Sequence, residues 1–125
     1  MVTHTRLIPI YTTSGDVAAF LLYPYIYSAT GEWIGWVNAN RKVYSVHGHF
    51  VGELSKDPRI LRKREWTFSE PRHTPPPVPP PIRVPAHVPL ARQMPEVSQN
   101  TIDVLQEAPD LMPAADYGEL REDMD

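Results

Sequence analysis

Between Ile10 and Leu54, apolar and polar positions recur in three gapless copies: IYTTSGDVAAFL from Ile10, IYSATGEWIGWV from Ile26 and VYSVHGHFVGEL from Val43. Their starts lie 16 and 17 residues apart. Each copy reads as a β-branched residue, Tyr, a polar stretch ending in Gly, two variable positions, an aliphatic residue, a small residue, one variable position and an apolar residue. A further step of 17 reaches Ile60, where ILRKREWTF keeps the β-branched start but has Glu65 where the others have glycine. It reads as a degenerate fourth copy.

A β-branched residue followed by Tyr favours strand. A polar stretch closed by Gly15, Gly31 or Gly48 fits a type I turn ending in a glycine at positive φ, so each copy predicts a β-hairpin. Strict alternation after the turn puts Val17, Ala19, Leu21, then Trp33, Gly35, Val37, then Phe50, Gly52, Leu54 on one face. All are apolar or tiny, which marks the core side. Gly35 and Gly52 leave room for close backbone approach, and the rings fill what remains. The other face carries Ala18, Phe20, Ile34, Trp36, Val51 and Glu53. It is too apolar for plain solvent exposure, and an internal, intersubunit or ligand-covered fate all stay open.

Tandem [IV]YSxxGxx[IV]Gx[VL] units followed by a Pro-rich tract resemble the four-fold β-flower family of bacterial hairpin-repeat domains. The resemblance covers residues 6–70 and rests on Tyr27, Gly31, Gly35, Tyr44, Gly48 and Gly52, with Tyr11 and Gly15 as a looser copy. It implies petals about a pseudo-fourfold axis and a distant likeness to tubby-like domains, some of which bind lipid headgroups. It brings no catalytic residues and no established activity. Ala19 and Glu65 depart from the pattern. Choline-binding repeats, the other aromatic hairpin family weighed, have a longer period and belong to secreted proteins.

Composition divides the chain. Eleven of twelve aromatic residues precede residue 69, and ten of fifteen prolines lie between Pro71 and Pro95. Only the first part can build a core, and about 65 residues is a size at which burial barely offsets chain entropy. With no cysteine to supply a disulfide or thiolate site, self-association as a homo-oligomer is the expected help. The expected fold class is all-β: antiparallel hairpin repeats over 6–70, a disordered polyproline II-like linker over 71–97 and an acidic, largely disordered tail with short helices over 98–125. Proline lacks the amide donor and fixes φ, so the linker reads as a semi-rigid spacer. Its prolines miss the spacing of either SH3-ligand orientation because residue 78 is Val. Ser98 or Asn100 is placed to cap a helical turn before Pro109, and Pro113 to begin another.

Charge is split as well. Residues 1–73 carry nine Lys/Arg against six Asp/Glu, while residues 101–125 carry one against eight. The acidic end suits contact with a protein partner. Phe20 and Trp36, with Arg59, Arg62, Lys63 and Arg64, form the expected contact surface, with anionic lipid as its alternative ligand. Nucleic acid is disfavoured by the modest basic charge and the competing acidic end. The start of the chain lacks a basic, then apolar, secretory pattern, and the longest apolar run is too short to span a bilayer. A cytoplasmic location, with membrane-peripheral binding as the alternative, is therefore expected.

Catalytic constellations are missing. Ser28 and Ser45 sit where hydroxyls satisfy turn amides. His47 and His49 flank Gly48, where strand alternation breaks, and lack a third ligand for a metal. No carboxylate pair or phosphate-binding glycine loop occurs, so no cofactor, no metal and no enzyme are expected. The leading expectation is a non-enzymatic structural or adaptor module, self-associating through its head and contacting partners through its proline-rich and acidic segments.

Overall fold

The structure, a computed structural model, describes residues 6–66 and 71–115. Eight strands form one antiparallel sheet in chain order: β1 Ile8–Tyr11, β2 Val17–Leu22, β3 Tyr25–Ser28, β4 Trp33–Val37, β5 Lys42–Ser45, β6 Phe50–Leu54, β7 Ile60–Lys63 and β8 Thr101–Asp103. The helix α1, Val104–Glu107, and a 3-10 turn, Pro109–Leu111, follow. The chain is therefore all-β, built from consecutive hairpins as the repeat implies.

The first three hairpins turn in the same way. Gly15, Gly31 and Gly48 have φ of 98°, 91° and 89°. Their amides donate to the carbonyls of Thr12, Ser28 and Ser45 at 2.9, 3.0 and 2.9 Å. Ser28 Oγ accepts the amides of Thr30 and Glu32, and Ser45 Oγ accepts that of His49, as expected for turn hydroxyls. The connection after β4 uses the same device with Arg41 at φ 65°. Its guanidinium donates to the carbonyls of Leu54 and Ser55 at 2.7 and 2.8 Å, and these bonds offset the cost of a left-handed non-glycine residue.

Strict alternation fails once in each of the first three hairpins, always at the same place. The register runs Ile10↔Ala19 then Tyr11↔Val17; Ile26↔Gly35 then Tyr27↔Trp33; Val43↔Gly52 then Tyr44↔Phe50. Ala18, Ile34 and Val51 are thus left opposite no partner, each as the extra residue of a β-bulge. The bulge reverses the side on which preceding residues fall. Trp33 and Phe50, expected on the core face, instead share the outer face with Trp36, whereas Ile34 and Val51 join the core.

The fourth hairpin corrects the expected boundary at residue 70. β7 pairs not with residues just past Glu65 but with β8: Leu61↔Asp103, Arg62↔Ile102 and Lys63↔Thr101. Without a glycine able to take positive φ, the chain leaves the petal at Arg64 and returns at Asn100, where Arg64 N donates to Asn100 O at 2.7 Å. The proline-rich segment is an excursion within the last hairpin.

Closure follows from the returning chain. Thr13 N and Oγ1 donate to Asp103 Oδ2, both at 2.7 Å, and Ser14 N donates to Gln106 Oε1 at 3.0 Å. Tyr11 N donates to Pro58 O at 3.1 Å. First and last petals are therefore joined partly by side chains rather than by a continued ladder. Val104 and Met112 complete the core formed by Ile10, Ile26, Val37, Val43, Leu54 and Ile60. Burying such a side chain stabilises by about 1.5–3 kcal/mol. The N-cap position of α1 falls at Asp103 rather than at Ser98 or Asn100, and the proline-initiated turn begins at Pro109 rather than Pro113.

Candidate interaction face

Because the tyrosine opposite each bulge points outward, three petals give their largest rings to one face. Trp36 stacks on its cross-strand partner Tyr44 with centroids 4.4 Å apart and planes 22° from parallel. Tyr44 meets Phe50 edge-on at 6.0 Å, and Phe50 meets Trp66 at 5.5 Å. Tyr25 meets Trp33 edge-on at 6.2 Å. Offset and edge contacts of this kind add about 0.5–1.5 kcal/mol each beyond area burial. Trp33 is fully buried and donates from Nε1 to Gly35 O at 2.6 Å. Trp36 Nε1 is buried without an acceptor among the described residues.

The cover over this face is the proline-rich segment itself. Expected as a free spacer, it runs instead along the head, forming neither helix nor strand from Pro71 to Val97. His73 N donates to Gly48 O at 2.9 Å and Ile82 N to Gly31 O at 3.0 Å. Tyr25 Oη donates to Pro77 O at 3.1 Å, and Tyr11 Oη to Pro89 O at 2.7 Å. Arg59 Nη1 reaches Pro95 O at 2.9 Å. The strap thus visits the third, second and first petals before returning to the fourth. Proline makes it suitable: a chain poor in amide donors leaves few of them unsatisfied, while its carbonyls remain to accept from tyrosine. The His73 ring lies 4.5 Å from Tyr44, and Ile82 packs against the cluster of Tyr27, Trp33 and Val46.

Half of the expected contact surface is interior, and Trp36 is half-buried. Phe20 is 3% exposed, Arg59 3% and Arg62 4%. Arg59 grips Asp57 through Nη2 at 2.6 Å and donates to Thr13 Oγ1 at 3.0 Å. It therefore links the third connection, the first petal and the strap. Arg62 donates to Val51 O at 3.4 Å and Trp66 O at 2.6 Å, and burial lowers the pKa of its guanidinium. Lys63 and Arg64 are exposed, and Arg64 pairs with Glu107 at 3.2 Å. The basic run divides because strand alternation sends neighbouring cations to opposite sides. Burial of Asp57 pushes its carboxyl up, but hydrogen bonds from Arg59 and Ser55 and the charge of Arg59 together outweigh this and hold it below its ordinary value.

Gly35 and Gly52 lie against neighbouring backbone. A Cβ on Gly35 would overlap the backbone carbonyl oxygen of Tyr44 as well as the Met112 methyl, and one on Gly52 would come within 2.5 Å of Leu61 O. His47 and His49 line a cleft of about 320 Å3 with Ser45, Phe50, Val51, Asp110, Leu111 and Pro113. No group of three or more His, Cys, Asp or Glu able to hold a metal occurs among the described residues.

These elements define a small all-β hairpin-repeat domain. The chain matches the 4-fold beta flower protein model over residues 8–109, and it belongs to that family. The match spans the strap and β8, in keeping with a fourth petal completed after the proline-rich excursion. It is not a known enzyme family. Neither curated proteins nor solved structures match the chain. No helix among the described residues is long and apolar enough to cross a membrane.

The strap and its contacts escape a reading of the sequence because nothing local encodes them. One signal exists: outward tyrosines paired with carbonyl-rich, donor-poor proline sequence in the same chain.

Proposed function

We propose that this protein is a non-enzymatic interaction module, in which the strapped head associates with further copies and the acidic residues beyond Ala115 contact a partner. The supporting observation is the outer aromatic face, whose rings and hydroxyls hold polypeptide rather than line a polar cleft of convergent titratable groups. Exposed apolar side chains offer surfaces for self-association: Ile8 on edge strand β1, Tyr23 on a connection and Leu90 on the strap. Pro9 beside Ile8 limits ladder extension, so side-chain contact is the favoured mode. The acidic segment starts from a fixed point, since Ala115 N donates to Trp33 O at 2.8 Å and Met112 is buried.

Light scattering after size exclusion should give a mass above 14.2 kDa that falls on dilution. Substituting Leu90→Ser and Tyr23→Ser should shift it to the monomer with the melting temperature retained. A monomer at every concentration removes the self-association claim. The lipid reading keeps only Lys63 and Arg64 as exposed cations of its original set, so sedimentation with anionic vesicles should show no binding above that with neutral ones.

A further inference from the structure

We propose that the outer aromatic face is a docking surface for proline-rich polypeptide in trans, held closed by the strap in cis. The inference rests on the reading of the head as an interaction module and names the ligand that its face recognises.

The occupant already on the face shows the ligand chemistry. Between His73 and Pro89 the head accepts the strap's His73 and Ile82 amides at Gly48 O and Gly31 O, donates to the backbone carbonyls of Pro77 and Pro89 from Tyr25 and Tyr11, and packs against the Ile82 side chain. None of these contacts needs a particular charge. Tyrosine hydroxyls donating to carbonyls of a proline-rich chain laid over aromatic rings are the chemistry by which extended proline segments are bound between proteins.

Two observations indicate that the strap is a replaceable cover. Its anchors are sparse: after Ile82, the residues Arg83, Pro85, Ala86, His87 and Leu90 are exposed, Leu90 at 96%. Each hydrogen bond contributes only about 0.5–1.5 kcal/mol net, and each ordered residue costs about 1–2 kcal/mol, less where proline has already restricted it. A segment so held opens locally at far lower cost than the sheet beneath it. The fit is also incomplete, because Trp36 Nε1 lies on this face, buried and without an acceptor among the described residues. A trans ligand offering a carbonyl there would gain a bond that the strap does not make.

A tethered cover competes at an effective concentration in the millimolar range, so the intact protein binds such ligands weakly until the strap is loosened. The test uses the full chain and a fluorescein-labelled peptide of residues 74–91, read by fluorescence polarisation. Ile82→Asp loosens the strap from its own side and leaves the face intact. It should bind the peptide at least tenfold more tightly than the parent protein does. Adding Trp36→Ala should abolish that gain, with circular dichroism confirming the fold in each case. Should Ile82→Asp fail to fold, the milder pair His73→Ala and Ile82→Ala replaces it.

No saturable binding by a folded, strap-loosened variant overturns the proposal. Equal binding with Trp36→Ala does so too, since the peptide would then lie elsewhere. Neither outcome bears on the solution mass, so this proposal and self-association stand or fall separately.

Discussion

At the residue scale, the turn glycines do two different jobs. Positive φ alone costs a substituted alanine about 1–2 kcal/mol. At Gly15 nothing lies within 4 Å of the point an alanine methyl would occupy, so Gly15→Ala should cost about that much. At Gly31 and Gly48 the same methyl would overlap the carbonyl oxygens of Ile82 and His73, which belong to the strap. Gly31→Ala and Gly48→Ala should therefore destabilise further and also speed tryptic cleavage after Arg83. Urea midpoints and digestion rates for the three variants check the ranking. Asp57 supplies a second residue-scale test. Its carboxyl pKa is held below the usual value of about 3.9. The stability it contributes is thus complete well above that pH and lost as pH falls through its lowered folded value. Asp57→Asn should lower the urea midpoint at pH 7 and flatten its decline between pH 5 and 3 relative to the parent protein.

At the element scale, the repeated bulge decides what the aromatics can do. An extra residue at Ile34 and Val51 lets β4 and β6 send an aliphatic side chain into the core without giving up the outward rings of Trp33 and Phe50. The returning chain is the other decisive element. Asp103, at the end of β8, is 1% exposed and accepts two hydrogen bonds from Thr13. Asp103→Ala leaves those donors unpaired at the seam and should cost about 1–3 kcal/mol. Met112→Ala removes a core side chain and should cost about 2–5 kcal/mol, despite lying far beyond the last recognisable repeat. Chemical denaturation measures both, and a loss near zero for Met112→Ala would mean that the core closes without the C-terminal segment.

At the scale of the whole molecule, the strap and the returning segment change the stability argument made from length. About 65 residues need outside help to fold, yet the core is completed from within the chain by Val104 and Met112, and the outer face is covered by the strap. Self-association is therefore not required to fill the core. The proposed self-association then concerns surface contact alone, which is why mass and melting temperature should separate in the Leu90 and Tyr23 variants. The last described residue, Ala115, is anchored on the second petal by the bond from its amide to Trp33 O.

Local patterning alone determined the hairpins, the turn glycines and the family, because strand propensity and left-handed turn geometry are written in residues a few positions apart. It also located the tyrosines, tryptophans and cations that matter. Which side they face was decided only by tertiary structure, since one bulge residue reverses a whole side of a strand and leaves the composition unchanged. The partner of β7 was hidden for a related reason: Leu61 and Asp103 are brought together across an excursion with no pairing signal of its own. The fate of the proline-rich segment depended on a surface that exists only once three separate petals have folded beside one another.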